Sequence, residues 1–411
     1  MYRLLIILFV YVDRLSQCNG ITKRQAEDQR WDWGYVDIDI PNKSAPDTNN
    51  LLNNNQQNKS ANLEVPPTRT TMVTKEPTTT TREPTPYFCL AYNETKPNFN
   101  TPGRRISEAK CYDYMWELNV RLELDRRLLK CVDYNAKKYN QYAAIGGHAT
   151  GPGDYPHMGA IGWKASVGTW VFKCGSSLIS EKFVLTAAHC ARASARDSTI
   201  ADPVPKIVRL GDKNIIDVTY NFLPPIDVNI SRIIVHPRYL APKKYFDIAL
   251  MELEMKVTFS RLIQPACIWK SYSSSEFGNG ATLTGWGVVE TGSLKISPEL
   301  QAATVDIIDS QTCDDLLKTS CNRNWCGLQD HQICAGKLKG GVDACQGDSG
   351  GPLQVKIPQR STSQGQMHYV FGIISFGVGC AHPNLPGIYT RVSSFIDWIE
   401  DIVWEGESGQ K

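Results

Sequence analysis

The second half of the chain predicts an all-β fold: a barrel-type domain of about 260 residues closed by a C-terminal helix. Two observations predict it. Short apolar runs recur from residue 144 onward, such as Trp170-Val171-Phe172, Phe183-Val184-Leu185, Ile207-Val208-Arg209-Leu210 and Tyr369-Val370-Phe371-Gly372-Ile373-Ile374. Glycines and prolines separate them, as turns separate short strands. The end of the chain then changes period. Ser393 or Ser394 can cap a helix that carries Phe395, Ile396, Ile399, Ile402 and Val403.

The whole chain, at 411 residues, is too long for one ordinary domain of about 100–200 residues. Its 44 Lys and Arg against 42 Asp and Glu leave a net charge of +2. No net field attracts a polyelectrolyte, so nucleic acid is not an implied partner. Thirteen cysteines point to an oxidising compartment.

The N-terminal half reads as three segments. Arg3 precedes the apolar run Leu4 to Val12, nine residues long. That suits a secretory signal over 1–20 and falls short of the roughly 20 residues that a membrane span needs. Removal of the signal takes Cys18 and leaves twelve cysteines, an even number. Residues 21–86 form an arm, first Asn/Gln-rich and then Thr/Pro-rich, with little to bury. Residues 87–143 are a cysteine-bearing pro-segment. Ser107 to Leu129 has helical character, with Met115, Leu118, Leu122 and Leu129 on one face. It is too small to fold alone and is expected to lean on the domain C-terminal to it. That main domain runs over 144–404, and 405–411 is a tail.

Three strings carry chemistry: Thr186-Ala187-Ala188-His189-Cys190, Asp247-Ile248-Ala249-Leu250 and Gly347-Asp348-Ser349-Gly350-Gly351-Pro352, with Thr284-Gly285-Trp286-Gly287 between the last two. A serine hydroxyl is a poor nucleophile at neutral pH and needs a base. On these strings, over 144–404, the chain resembles the secreted serine proteases of the chymotrypsin–trypsin family. The resemblance implies that His189 takes the Ser349 proton and returns it to a leaving amine, and that Asp247 holds the imidazole in the right tautomer.

The resemblance implies two six-stranded antiparallel β-barrels with a C-terminal helix. It implies His189, Asp247 and Ser349 as catalytic residues, with the Gly347 and Ser349 amides as oxyanion hole. It places Asp343, six residues before Ser349, at the floor of the primary pocket, with Ser375, Phe376, Gly377 and Gly387 as its walls. A carboxylate there implies cleavage after Arg or Lys. Pro386 argues against sodium binding. The acidic residues Asp212 and Asp217 match the family's calcium loop too loosely to assign, so neither metal nor cofactor is implied.

Family members are zymogens. The new N-terminus is expected at Ala144, whose ammonium would pair with Asp348. Ala stands at this position where a large aliphatic is usual, and Tyr142-Ala143 precede the bond in place of a basic residue. Three explanations stay open: an activator of apolar or aromatic preference, a cut at Lys138 followed by trimming, and a lost or shifted activation site. The missing basic site suggests a detector of foreign or stress-released proteases.

By the same resemblance Cys174 pairs with Cys190, Cys313 with Cys334 and Cys345 with Cys380. Cys267 ties the domain to Cys111 or Cys131, and Cys89 takes whichever is left. Cys321 and Cys326 are extra and can close a small loop; no nearby His/Cys pair gives them zinc spacing. Glycosylation sequons stand at Asn42, Asn58, Asn93 and Asn229.

The phrases Arg105 to Cys111, Tyr155 to Gly162 and Arg209 to Asp212 narrow the resemblance to arthropod clip-type proteases. Those act in extracellular immune and developmental cascades, including the route to Toll and melanisation. A clip module needs six cysteines; only Cys89, Cys111 and Cys131 are available, so it is absent or degenerate. The implied setting is a haemolymph-like fluid. The implied partners are a downstream protease zymogen as substrate, an upstream activator of non-tryptic specificity and a serpin-type inhibitor. Two rivals stand beside this reading: a catalytically silent homologue serving as a binding or adaptor protein, and a digestive trypsin, which the long arm and missing basic site oppose.

Overall fold

A computed structural model of the chain describes residues 85–138, 153–216, 224–272, 278, 280–288, 296–341, 344–359, 361, 363–379 and 382–406. The signal over 1–20, nearly all of the arm, Ala144, Asp217, Asp343, Cys380, Asn42 and Asn58 lie outside the described residues. The chain divides into two compact units, 1–91 and 92–411. The first contributes one 3-10 turn, Tyr87–Cys89.

In the second unit, six strands close an antiparallel barrel. They are β1 (Met158–Lys164), β2 (Trp170–Leu178), β3 (Phe183–Thr186), β4 (Ile207–Leu210), β5 (Ile226–Val235) and β6 (Ala249–Leu253), in the order β1-β2-β3-β6-β5-β4. Ile161, Leu178, Val184, Leu185, Val208, Leu210, Leu250 and Leu253 fill the interior.

A short strand, β7 (Cys267–Ile268), leads to the second barrel. Its strands are β8 (Gly280–Gly285), β9 (Gln301–Ile308), β10 (Gln332–Gly336), β11 (Pro352–Lys356), β12 (His368–Phe376) and β13 (Gly387–Arg391). They pair as β11-β8-β9-β10-β13-β12, and antiparallel pairing of β12 with β11 closes the ring. β7 adds in parallel to β12. All four apolar runs expected as strands lie in strands: β2, β3, β4 and β12. The fold is therefore all-β, with two six-stranded antiparallel barrels and a C-terminal helix.

Among the described residues, three α-helices decorate the barrels. The first, α1 (Ile106–Lys138), is 33 residues and so about 50 Å long. Its apolar docking is confined to the N-terminal part. Cys111, Tyr114 and Leu118 are buried with Cys267, Ile357 and Met367, and Met115 and Leu122 pack at the edge. Leu129, expected on the same face, is exposed together with Leu124 and Leu128. The helical period holds, but these three leucines stay outside the apolar contact that buries Leu118. The docked end is anchored by charge as well: Arg105 and Ser107 both donate to Glu400, and Lys270 pairs with Glu108 at 2.6 Å.

The second helix, α2 (Ser310–Leu317), is capped by Asp309, whose side chain accepts from the Thr312 amide at 2.9 Å. The third, α3 (Ile396–Val403), follows a 3-10 turn, Val392–Phe395. Ser393 and Ser394 fall inside that turn, and the residue at the helix start is Phe395, without a side-chain cap. Packing replaces the expected cap: Phe395, Ile396 and Ile399 bury themselves in the core of the first barrel. Each is worth about 1.5–3 kcal/mol of transfer energy, above the ~1 kcal/mol of a typical cap.

One buried pair contributes to the pH response of the fold. His157 and His368 are buried with ring centroids 4.9 Å apart. Burial drives His157 down to about 3. Burial, His157 and Lys356 drive His368 well below its ordinary value. Both rings are thus neutral when folded and bind protons more readily when unfolded. Their contribution to stability is complete above the unfolded value near 6.5 and is lost as pH falls toward the folded values. We expect the unfolding free energy to fall below that value by about 1.4 kcal/mol per pH unit for each ring. In urea titrations at stepped pH, His368→Phe should remove one such contribution; an unchanged slope would contradict this account.

Candidate active site

Strand register brings the first two residues together. In the antiparallel pair β3–β6, Thr186 faces Ala249. His189 lies three residues beyond the end of β3, in the 3-10 turn Ala188–Ala191. Asp247 lies two residues before the start of β6. They therefore meet at the same barrel end. The Asp247 carboxylate accepts from the His189 amide at 2.9 Å through Oδ1, and Oδ2 lies 2.8 Å from His189 Nδ1.

Asp247 is 1% exposed, while the His189 side chain keeps 27% of its surface. Burial alone would push the Asp247 carboxyl up. Attraction to His189 and hydrogen bonds from His189 and from the Ser375 hydroxyl overcome that and hold it below its ordinary value. Thr390 Oγ1 also donates to the Asp247 carbonyl at 2.8 Å. Ser375 lies at the end of β12 and Thr390 in β13, so the second barrel supplies donors to an aspartate of the first.

Ser349 stands three residues before β11, in a turn stitched to both barrels. Its carbonyl accepts from the Gly175 amide of β2 at 2.8 Å and lies 3.6 Å from Cys190 Sγ, next to His189. The Gly350 amide donates to the Ile374 carbonyl of β12 at 2.8 Å. Two glycines permit this path. Gly347 and Gly350 have φ of 104° and 80°, and a Cβ at Gly350 would fall 2.1 Å from Thr186 Oγ1. Among the described residues, the Gly347 and Ser349 amides donate to no protein acceptor. Two such N–H groups flanking a hydroxyl can receive a developing oxyanion.

Asp348 points the other way. Its carboxylate accepts from the Gly287 amide at 2.8 Å and the Cys345 amide at 2.9 Å. Burial outweighs those bonds and raises its pKa. No cation contacts it among the described residues. Of the expected pocket walls, Ser375 is buried beneath Asp247, Phe376 is half-buried against Trp325, Gly377 is exposed and Gly387 opens β13. The observed partner of Ser375 is Asp247.

Among the described residues the cysteines are oxidised. Disulfides join Cys174 to Cys190, Cys313 to Cys334, Cys321 to Cys326 and Cys111 to Cys267. The choice left open for Cys267 thus falls on Cys111. Cys89, Cys131 and Cys345 are also disulfide-bonded. Cys174, His189 and Cys190 cluster as metal ligands would, but the two sulfurs share a bond and offer no thiolate. Asp212 is buried and engaged by Arg209 and the Asn214 amide. Asn93 and Asn229 are exposed, with Asn229 Nδ2 donating to Glu254 at 2.8 Å. No helix among the described residues is long and apolar enough to cross a membrane.

Sequence reasoning missed Thr390 and the residues behind Asp247, Phe246 and His331. Their partners are distant in the chain, and no local motif marks them.

Comparison with known proteins agrees with this geometry. The family model described as Trypsin matches residues 144–399. "Serine protease snk" of Drosophila melanogaster is 37% identical over 267 residues, covering 64% of this chain and 57% of that protein. "Serine protease Hayan" of the same organism is 38% identical over 263 residues, 63% and 39% of the two chains. "Phenoloxidase-activating factor 3" of Holotrichia diomphalia is 34% identical over 275 residues, 64% and 73%. The chain thus matches 57% of the first of these relatives and 39% of the second. With a matching family model over most of its length, two closed barrels and His189 held against a buried Asp247, the chain belongs to the trypsin family of serine proteases.

Proposed function

We propose that the chain is a secreted serine endopeptidase zymogen that cleaves after Arg or Lys in an extracellular cascade of immunity or development, Toll activation or melanisation. The observation that carries the reading is the saturated Asp247 carboxylate holding His189 by both its amide and Nδ1. That leaves Nε2 as the base. Ser349 gives it a proton and attacks the scissile carbonyl; the oxyanion takes the Gly347 and Ser349 amides. The imidazolium, stabilised by Asp247, then protonates the leaving amine. The names of the relatives, a serine protease and a phenoloxidase-activating factor, support a cascade setting.

Asp343 supplies the specificity. A carboxylate at the floor of a substrate pocket pairs with Arg or Lys and penalises an apolar side chain. Activation is a cut before Ala144 by a protease of apolar or aromatic preference, after which the ammonium of Ala144 meets Asp348. The latter supports this step: its buried carboxylate holds only two amide donors and lacks a cation among the described residues. The segment before the cut stays attached through Cys111–Cys267. A downstream zymogen is the substrate and a serpin-type inhibitor the natural brake. The sequons at Asn42, Asn58, Asn93 and Asn229 carry glycan, and Cys345 pairs with Cys380.

Hydrolysis of an arginyl chromogenic peptide, after exposure of the secreted zymogen to proteases of several specificities, tests the reading. Turnover should appear with a chymotrypsin- or elastase-like activator and vanish in Ser349→Ala. Its absence after a confirmed N-terminus at Ala144 would favour an inactive homologue that binds partners. In the active enzyme, Asp343→Ser should lower kcat/KM for arginyl substrates by about 10²-fold or more. Non-reducing electrophoresis adds an independent check: the cut chain should migrate as one species, and Cys111→Ser with Cys267→Ser should release the pro-segment.

A further inference from the structure

We propose that His331 is a positioning residue for Asp247, acting through the backbone of Phe246. The inference rests on the reading of Asp247 as the residue that orients the catalytic base. Phe246 immediately precedes Asp247 and has φ of 55°. A bulky side chain in this left-handed region is strained and persists only where its surroundings enforce it. The Phe246 amide donates to His331 Nε2 at 3.1 Å, and the Ile248 amide donates back to the Phe246 carbonyl at 2.8 Å. Asp247 is thus the middle residue of a tight turn whose first residue is pinned by an imidazole from outside the strand.

The rings reinforce the bond. Phe246 stacks on His331 with centroids 4.1 Å apart and planes 16° from parallel. It also lies near-parallel to His236, and the Arg238 guanidinium covers it at 3.9 Å. His331 in turn is fixed by its own backbone, whose carbonyl accepts from the Arg391 amide at 2.8 Å. The stack borders an open cavity of about 520 Å³ lined by His236, Arg238, Gln329, Asp330 and Ser394. Packing therefore does not enclose Phe246 on all sides, and the directional bond to His331 holds the turn.

An imidazole accepts at Nε2 only when neutral, with its proton on Nδ1. The groups that face His331 favour that state. Burial, Arg238 and His236 all lower its pKa, to about 4, against a smaller opposing pull from Asp330; the Tyr245 ring stands edge-on at 6.0 Å. His331 touches no reacting atom. It fixes the backbone from which the Asp247 carboxylate reaches His189.

Two substitutions in the full processed chain separate this role from general packing. His331→Leu keeps bulk and removes the acceptor; His331→Gln keeps a side-chain oxygen that can take the Phe246 N–H. We expect His331→Leu to lower kcat by about tenfold or more with KM within about twofold, and His331→Gln to recover to within about threefold of wild type. The low-field proton resonance of the His189–Asp247 hydrogen bond provides a readout independent of turnover: it should shift or broaden in His331→Leu and persist in His331→Gln. Should His331→Leu not fold, His331→Asn, whose amide is one methylene short of the Phe246 N–H, takes its place. Unchanged kcat and resonance, or equal losses in the Leu and Gln variants, would overturn the inference. If wild type shows no Ser349-dependent turnover, the protease reading fails on its own, and the resonance alone still decides the role of His331.

Discussion

An ionised carboxylate with almost no exposed surface is tolerable only if its oxygens are saturated with donors, because leaving water costs several kcal/mol that an incomplete set of bonds does not return. Asp247 is that carboxylate. Its side chain takes the His189 amide, His189 Nδ1 and the Ser375 hydroxyl, and its carbonyl takes Thr390. Two of those donors come from the first barrel and two from the second. The hydrogen bonds to this one aspartate therefore tie the two barrels together and fix the imidazole that stands between them.

Asp348 provides the contrast. Both aspartates are buried, but one pKa goes down and the other up. The difference is the partner set. Asp247 has a histidine and a hydroxyl in addition to an amide, whereas Asp348 has two amides only. A fixed carboxylate short of positive charge is suited to capture a cation, and one with a full set is suited to hold a neighbour still. On the proposed reading these are the roles of activation switch and catalytic orienter. The turn between them, with its two left-handed glycines, lets Ser349 stand between both demands.

Much of this was legible in the sequence because it is local. The apolar runs around Phe183 and Ile207 became strands, and the three motif strings stand at strand ends, where turns must lie. What stayed illegible depends on long-range contact. Leu129 shares the periodicity of Leu118, yet only the latter is buried, since sequence does not say where a helix's apolar contact ends. Ser393 and Ser394 are good capping residues by type, but apolar burial of Phe395 and Ile396 set the helix start. Spacing could not choose between Cys111 and Cys131. Nothing near His331 marks it as the acceptor for an amide 85 positions earlier. Residue type predicts what a side chain can do, and the barrel register decides whether it is asked to.

The central claim is that the buried Asp247 carboxylate, by fixing the tautomer of His189, makes Ser349 a nucleophile. Covalent capture of the serine by a fluorophosphonate, timed by mass spectrometry in the chain processed at Ala144, tests it most directly. The account predicts modification of Ser349 in the wild type and a rate lowered by roughly 10³-fold or more in Asp247→Asn, which keeps the shape and loses the charge. Equal labelling rates in the two proteins would contradict it.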